Sequence, residues 1–266
     1  MNEAFEDLQF LARSPTRIRA VKLLAATPRN RDELVDELDI SRATLSRLLR
    51  QLEDRDWIRR DKERYTTTRF GTAMATDITQ LLETATTIRQ LRGIVQYLPF
   101  DDLGIEIHQL NDARITEATS ADPVAPARRV GQVLDSAERT RILKHVIDPN
   151  ASRSQYGAVI DGTLQTEIIL THDAITTVCE YPDSRQRYQD MIANDVGVYR
   201  CDDTIPINLK IVDETVLFSL TDDNGLVLAL IESDDEDVRS WATDLFNGYR
   251  DEATPVGRET FTSHRE

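Results

Sequence analysis

Residues 41–71, SRATLSRLLRQLEDRDWIRRDKERYTTTRFG, decide the fold of the first third of the chain. Leu45, Leu48, Leu49 and Leu52 recur at i, i+3, i+4 and i+7, which makes one apolar stripe of a helix that has to face a core. Ser41 stands ahead of the stripe as an N-cap, because a serine hydroxyl accepts from a backbone N–H of the first turn. The opposite side carries Ala43, Ser46, Arg47 and Arg50, with Ser41 and Arg42 at the N-terminal turn. Small residues allow close approach to a duplex, and arginine can donate two hydrogen bonds to a guanine edge or grip phosphate, so this face suits a major groove. After Trp57 and Ile58, the segments Arg59–Arg60 and Tyr65–Thr68 flank the charged tip Asp61–Arg64, the pattern of two short strands joined by a turn. Such a wing places Arg59, Arg60, Lys62 and Arg64 near backbone phosphate or an adjacent minor groove.

Working outward, Ser14 as N-cap and Pro15 at the first helical position open a helix carrying Ile18, Val21, Leu24 and Ala25, which ends at Thr27–Pro28. A second short helix, Arg31–Leu38, puts Leu34, Val35 and Leu38 on one face and breaks at Asp39–Ile40. On the other side, residues 71–98 read as one long helix with Met74, Ile78, Leu81, Leu82, Ala85, Ile88, Leu91, Val95 and Leu98 at steps of three and four. A helix of that length beside a DNA-binding head suits dimerisation, together with the N-terminal stripe Phe5, Leu8 and Leu11, because operators are commonly read by two-fold dimers.

The helix pair with Ser41, Thr44, Ser46, Leu49 and Leu52, then Trp57–Ile58, then Thr68 and Gly71, resembles the winged helix-turn-helix of ArsR- and MarR-type prokaryotic regulators as it occurs in archaea. The resemblance spans residues 14–72 and implies that Ser41–Arg55, with Thr44 among its contacts, is a recognition helix. It makes double-stranded promoter DNA the expected partner and a homodimer the expected assembly.

The charge distribution agrees. The formal net charge of the 266-residue chain is −15, yet residues 1–98 hold 17 Lys/Arg against 15 Asp/Glu, while residues 99–266 hold 15 against 32. Carboxylates facing phosphate would be repulsive, so a polyanionic partner explains why only one part escapes acidification. Of the 32 basic residues only Lys22, Lys62, Lys144 and Lys210 are lysines, and with abundant Asp and Thr this surface resembles that of a halophilic archaeon. No apolar run of about 18 residues and no signal core in MNEAFEDLQF is present, so the expectation is a cytoplasmic protein without membrane partner. Cys179 and Cys201 read as packing thiols. The four histidines are scattered without metal-ligand spacing, so neither a metal nor a cofactor is expected.

The expected fold class is α+β: a winged helix in residues 1–70, a linker and dimerisation helix in 71–98, an α/β effector domain in 99–256 and a disordered tail in 257–266. Strands are expected at Arg141–Ile147, Thr166–Leu170, Val196–Arg200, Ile207–Val212, Thr215–Leu220 and Leu226–Ile231, the last two joined by the hairpin signal Asp223–Asn224–Gly225. Helices are expected around Arg153–Leu164, Ala174–Glu180, Arg185–Ala193 and Asp234–Tyr249. The segments NLKIVDETVLFSLTDDNGLVLALIES and VRSWATDLFNGYRDEATPV resemble the effector domain of archaeal methanogenesis-regulator-type proteins, distantly like TrmB regulators. That resemblance implies a sensing domain related to the phospholipase D fold. Phospholipase D chemistry needs a histidine with a lysine two residues later, and neither His145-Val146-Ile147 nor His172-Asp173-Ala174 supplies one, so no catalytic residue is assigned. An effector pocket at the carboxyl ends of the strands would draw on Ser152, Arg153, His172, Arg200 and Lys210, and the scarcity of cations there favours a small anionic metabolite. A protein–protein adaptor that uses the winged helix without DNA is the alternative reading.

Overall fold

The leucine stripe is buried as its spacing requires: in the computed structural model, which describes residues 2–147, 153–222 and 225–262, Leu45, Leu48, Leu49 and Leu52 are at most 5% exposed. The architecture is α+β, in two units, residues 1–85 and 86–266.

Unit 1 is built from helices α1 (Asn2–Ala12), α2 (Pro15–Ala26), α3 (Arg31–Leu38) and α4 (Arg42–Glu53), the hairpin β1 (Ile58–Asp61) and β2 (Arg64–Thr67), and the start of α5 (Arg69–Leu91). Leu11, Val21, Leu24, Leu34, Trp57 and Ile78 complete its core around the α4 stripe. Asn30 caps α3 with a full capping box: its side chain accepts from the backbone N–H groups of Asp32 and Glu33, while the Glu33 carboxylate accepts from the Asn30 N–H. Asp39, in the left-handed region at φ 53°, ends α3 and turns the chain into Ser41, whose hydroxyl accepts from Thr44 N–H at 3.2 Å. Ser14, expected to cap α2 in the same manner, makes no side-chain cap bond; its carbonyl accepts from Arg17 N–H instead. The hairpin pairs Ile58 with Thr67 and Asp61 with Arg64, leaving Lys62 at φ 54° and Glu63 as a two-residue turn. Gly71 closes the wing onto α5 where no other residue fits, since a Cβ there would lie 1.8 Å from the Trp57 carbonyl oxygen.

The expected helix over 71–98 is shorter: α5 ends at Leu91, Gly93 lies in the turn that follows, and Val95–Tyr97 form one 3-10 turn. Leu91 and Leu98, read as the end of a dimerisation stripe, are buried with Ile94 in the core of unit 2. An apolar stripe records that a face is buried and not by what, so the periodicity ran on across the break.

Unit 2 continues with α6 (Phe100–Leu103), β3 (Arg114–Glu117), α7 (Ala125–Leu134), β4 (Arg139–Lys144), α8 (Arg153–Ile160), β5 (Gln165–Thr171), α9 (His172–Glu180), α10 (Pro182–Ala193), β6 (Gly197–Cys201), β7 (Asn208–Val212), β8 (Thr215–Thr221), β9 (Val227–Ser233), α11 (Glu236–Glu252) and β10 (Thr254–Pro255). One mixed sheet runs β10-β6-β5-β4-β7-β8-β9-β3, with β6, β5 and β4 mutually parallel and the other neighbours antiparallel. Alternation along each strand sorts side chains to two covered faces. Leu143, Ile169, Leu209, Ile211 and Phe218 join Phe246 of α11 in one core. Ile142, Ile168, Leu170 and Val198 face α8, α9 and α10, and Leu217 and Leu230 face α7. Strands β3 and β10 escaped the sequence reading because they are short edge strands with little apolar alternation. Residues 223 and 224 of the expected hairpin lie outside the described residues; Gly225 beside them has φ 78°, and β8 and β9 pair antiparallel as a hairpin does. The expected disordered tail is ordered through its first part, where Arg258–Phe261 form a 3-10 turn and Phe261, fully buried, stacks on Tyr188 at 5.2 Å between ring centroids.

Candidate nucleic-acid interface

The side of α4 away from the core is exposed at Ser41, Arg42, Ala43, Ser46, Arg47 and Arg50, with Thr44 half-buried. Among the described residues Arg47 and Arg50 have no side-chain hydrogen bond or ion pair, nor has Arg59 on the exposed side of β1. Arg42 pairs with Asp32 at 2.7 Å, and Arg64 donates to the Pro28 carbonyl at 2.8 Å and to Glu33 at 3.2 Å. Arg31 donates to the Ser46 hydroxyl at 2.6 Å. The first turn of α3 therefore stands between the start of α4 and the wing and ties both to itself. These ion pairs are exposed, a class worth about 0–1 kcal/mol, so an approaching phosphate can compete for the same guanidinium groups. Arg60 donates to the Lys62 carbonyl and lies 5.8 Å from the Tyr65 ring, which stiffens the wing from within.

Sequence reasoning missed Arg13, Arg17 and Arg31. Arg17 and Arg55 sandwich the Phe10 ring, each 4.0 Å from its centroid, and Arg17 also donates to the Phe10 carbonyl. Burial, and then the cations Arg55, Arg47 and Arg13, lower the Arg17 guanidinium from its ordinary value. Between α2 and α4 lies a notch of about 120 Å³ lined by Ser14, Thr16, Arg17, Thr44, Arg47 and Gln51 among others. The spacing Arg13, Arg17 was visible, but its place beside α4 depends on how α2 packs.

In unit 2 the three of the five expected effector residues whose side chains are described, His172, Arg200 and Lys210, lie on separate elements. Ser152 lies outside the described residues, as does the side chain of Arg153. His172 is exposed at the first position of α9. Arg200, on β6, pairs with Asp202 at 3.1 Å, and strands β5 and β4 separate it from Lys210 on β7. A pocket of about 400 Å³ instead opens at the carboxyl ends of β4 and β8, lined by Gln96, Tyr97, His145, Ser219, Thr221 and Asp222 among others. The His145 imidazole Nδ1 is buried without a hydrogen-bond partner among the described residues, and burial lowers its pKa from the ordinary value. Lys144 and Lys210 follow Ile142 and Asn208 by two residues, so neither completes a His-x-Lys pair.

Residues 5–90 match the family model of the HVO_A0261 N-terminal domain, and residues 123–252 match that of the methanogenesis regulatory protein FilR1, middle domain. The first match extends beyond the expected 14–72 to take in most of α1 and nearly all of α5. No curated protein matches the chain. Among solved structures, TrmBL2, described as an archaeal chromatin protein with a novel mode of DNA binding, aligns at 15% identity and a TM-score of 0.42, covering 91% of this chain and 94% of that one. Nuc, a phospholipase D family member from Salmonella typhimurium, aligns at 12% identity and a TM-score of 0.44 over 55% of this chain and 97% of its own. An O-methyltransferase family protein from Burkholderia thailandensis aligns at 11% identity and a TM-score of 0.25, over 76% and 64%.

Proposed function

We propose that the chain is a sequence-specific DNA-binding transcriptional regulator that acts as a homodimer, with α4 in the major groove, the β1–β2 wing on the flanking backbone, and unit 2 as an effector domain. The observation that carries this reading is the exposed face of α4, where Arg47 and Arg50 have no partner among the described residues, set in a unit whose basic and acidic residues balance within a chain whose net charge is −15. A face free of internal partners has its donors available for base edges and phosphate. The match of residues 123–252 to a domain of a protein described as regulatory supports the same conclusion from the other unit. The apolar side chains Phe5 and Leu8 on α1 and Leu81, Leu82 and Ile88 on α5 are 44–60% exposed and supply surface for a second copy.

Genome-wide immunoprecipitation of the tagged protein tests the reading. Sharp enrichment at promoters is the expected result. A flat profile, with a protein partner captured through unit 1, would favour an adaptor instead.

A further inference from the structure

The part of the chain beyond residue 98 has twice as many acids as bases and only two lysines, and the fold makes those two lysines neighbours. In the β4–β7 register Ile142 pairs with Lys210 and Leu143 with Leu209, which puts Lys144 opposite Asn208. In the β7–β8 register Asn208 pairs with Ser219. Leu143, Leu209, Ile211 and Phe218 face α11, so by alternation Lys144, Asn208, Lys210 and Ser219 share the other face of three adjacent strands. Lys144 is 8% exposed. Among the described residues Lys210 has neither a hydrogen bond nor an ion pair, and Glu232, the acid in its cross-strand row, lies two strands away and is held by Arg129 at 2.8 and 2.5 Å. The helices α7 and α8, which pack against each other over this face, contain no Asp or Glu at all, although the chain has 47 of them. Asn208 is already oriented: its Oδ1 accepts from the N–H groups of His145 and Val146 at 3.0 and 3.2 Å, which leaves its amide NH2 as a donor. Ser219 lines the pocket of about 400 Å³ described above.

A desolvated cation without a counter-charge is costly, and proteins retain such groups where a ligand supplies the charge. We propose that this face of unit 2 binds a small phosphorylated metabolite. Its dianionic phosphoryl group is held by the ammonium groups of Lys144 and Lys210, the Asn208 amide and the Ser219 hydroxyl, and its organic part occupies the pocket lined by His145 and Thr221. Burial and the adjacent Lys144 lower the Lys210 pKa well below its ordinary value, so the Lys210 ammonium is disfavoured without a ligand and an anion beside it relieves that cost. The site is independent of whether unit 1 binds DNA.

Calorimetric titration of the full chain with inorganic phosphate, at constant ionic strength in potassium chloride, tests the proposal. Wild type binds phosphate; Lys210→Met abolishes that binding while its ligand-free melting temperature stays the same or rises, because the substitution removes an unpaired, partly buried charge. Ser219→Ala, a milder change, weakens phosphate about ten-fold and serves if the lysine variant does not fold. Phosphate heat that is absent from wild type, or that survives in both variants within two-fold, overturns the proposal. A short DNA duplex added in place of phosphate gives the same heat in wild type and in Lys210→Met; loss of that heat in the variant would mean the lysine contacts nucleic acid and overturns the metabolite assignment.

Discussion

Arg47 and Arg50 sit exposed on α4 with no hydrogen bond or ion pair among the described residues, so truncating them removes donors without breaking one. Arg47→Ala and Arg50→Ala are expected to weaken specific DNA binding by about 1–3 kcal/mol each if they reach base edges, with no change in melting temperature. Fluorescence anisotropy on a selected duplex at about 1 M salt isolates these contacts, because the screening length there is roughly 3 Å. Unaltered affinity in both variants would move the interface elsewhere. His145 offers a second test at this scale. Burial lowers its pKa below the ordinary 6.5, so the folded chain binds fewer protons than the unfolded chain as pH falls past that value. Stability is full above about pH 6.5 and declines as pH drops toward the lower folded pKa. Urea unfolding between pH 7 and 5 should show a shallower decline for His145→Leu than for wild type, and parallel curves would assign the slope to other groups.

At the scale of elements, caps that look alike in sequence differ in the structure. Asn30 satisfies two backbone donors of α3 and Ser14 satisfies none of α2. Asn30→Ala should cost about 1 kcal/mol, and Ser14→Ala should be close to neutral; equal effects in chemical denaturation would contradict the difference. The recognition-type helix was legible because a stripe at i, i+3, i+4 and i+7 together with a capping serine fixes one helix and its buried face. The end of α5 was not. Its apolar positions continue at helical spacing past Gly93, and only the packing of Leu91, Ile94 and Leu98 into unit 2 shows that they serve a different core from Ala75 and Ile78.

For the whole molecule, the exposed residues on α1 and α5 lead to an expected assembly. The double variant Phe5→Glu with Leu81→Glu should sediment as a monomer where wild type is a dimer, and should bind a palindromic duplex more weakly than wild type while keeping its melting temperature at high salt. A wild type that sediments as a monomer at micromolar concentration would remove the dimer from the reading. The sequence by itself determined the faces of α2, α3 and α4, the wing, most strands of unit 2 and the division of charge between a cationic and an acidic part, because each of these is written in local period and composition. Tertiary structure alone decided the strand order that sets Lys144 beside Asn208 and Lys210, the two strands that keep Arg200 away from Lys210, and the burial of Phe261 in a segment that looked like a tail. Period fixes which side of an element is covered; pairing across long stretches of chain, set by the sum of many weak contacts, fixes what covers it.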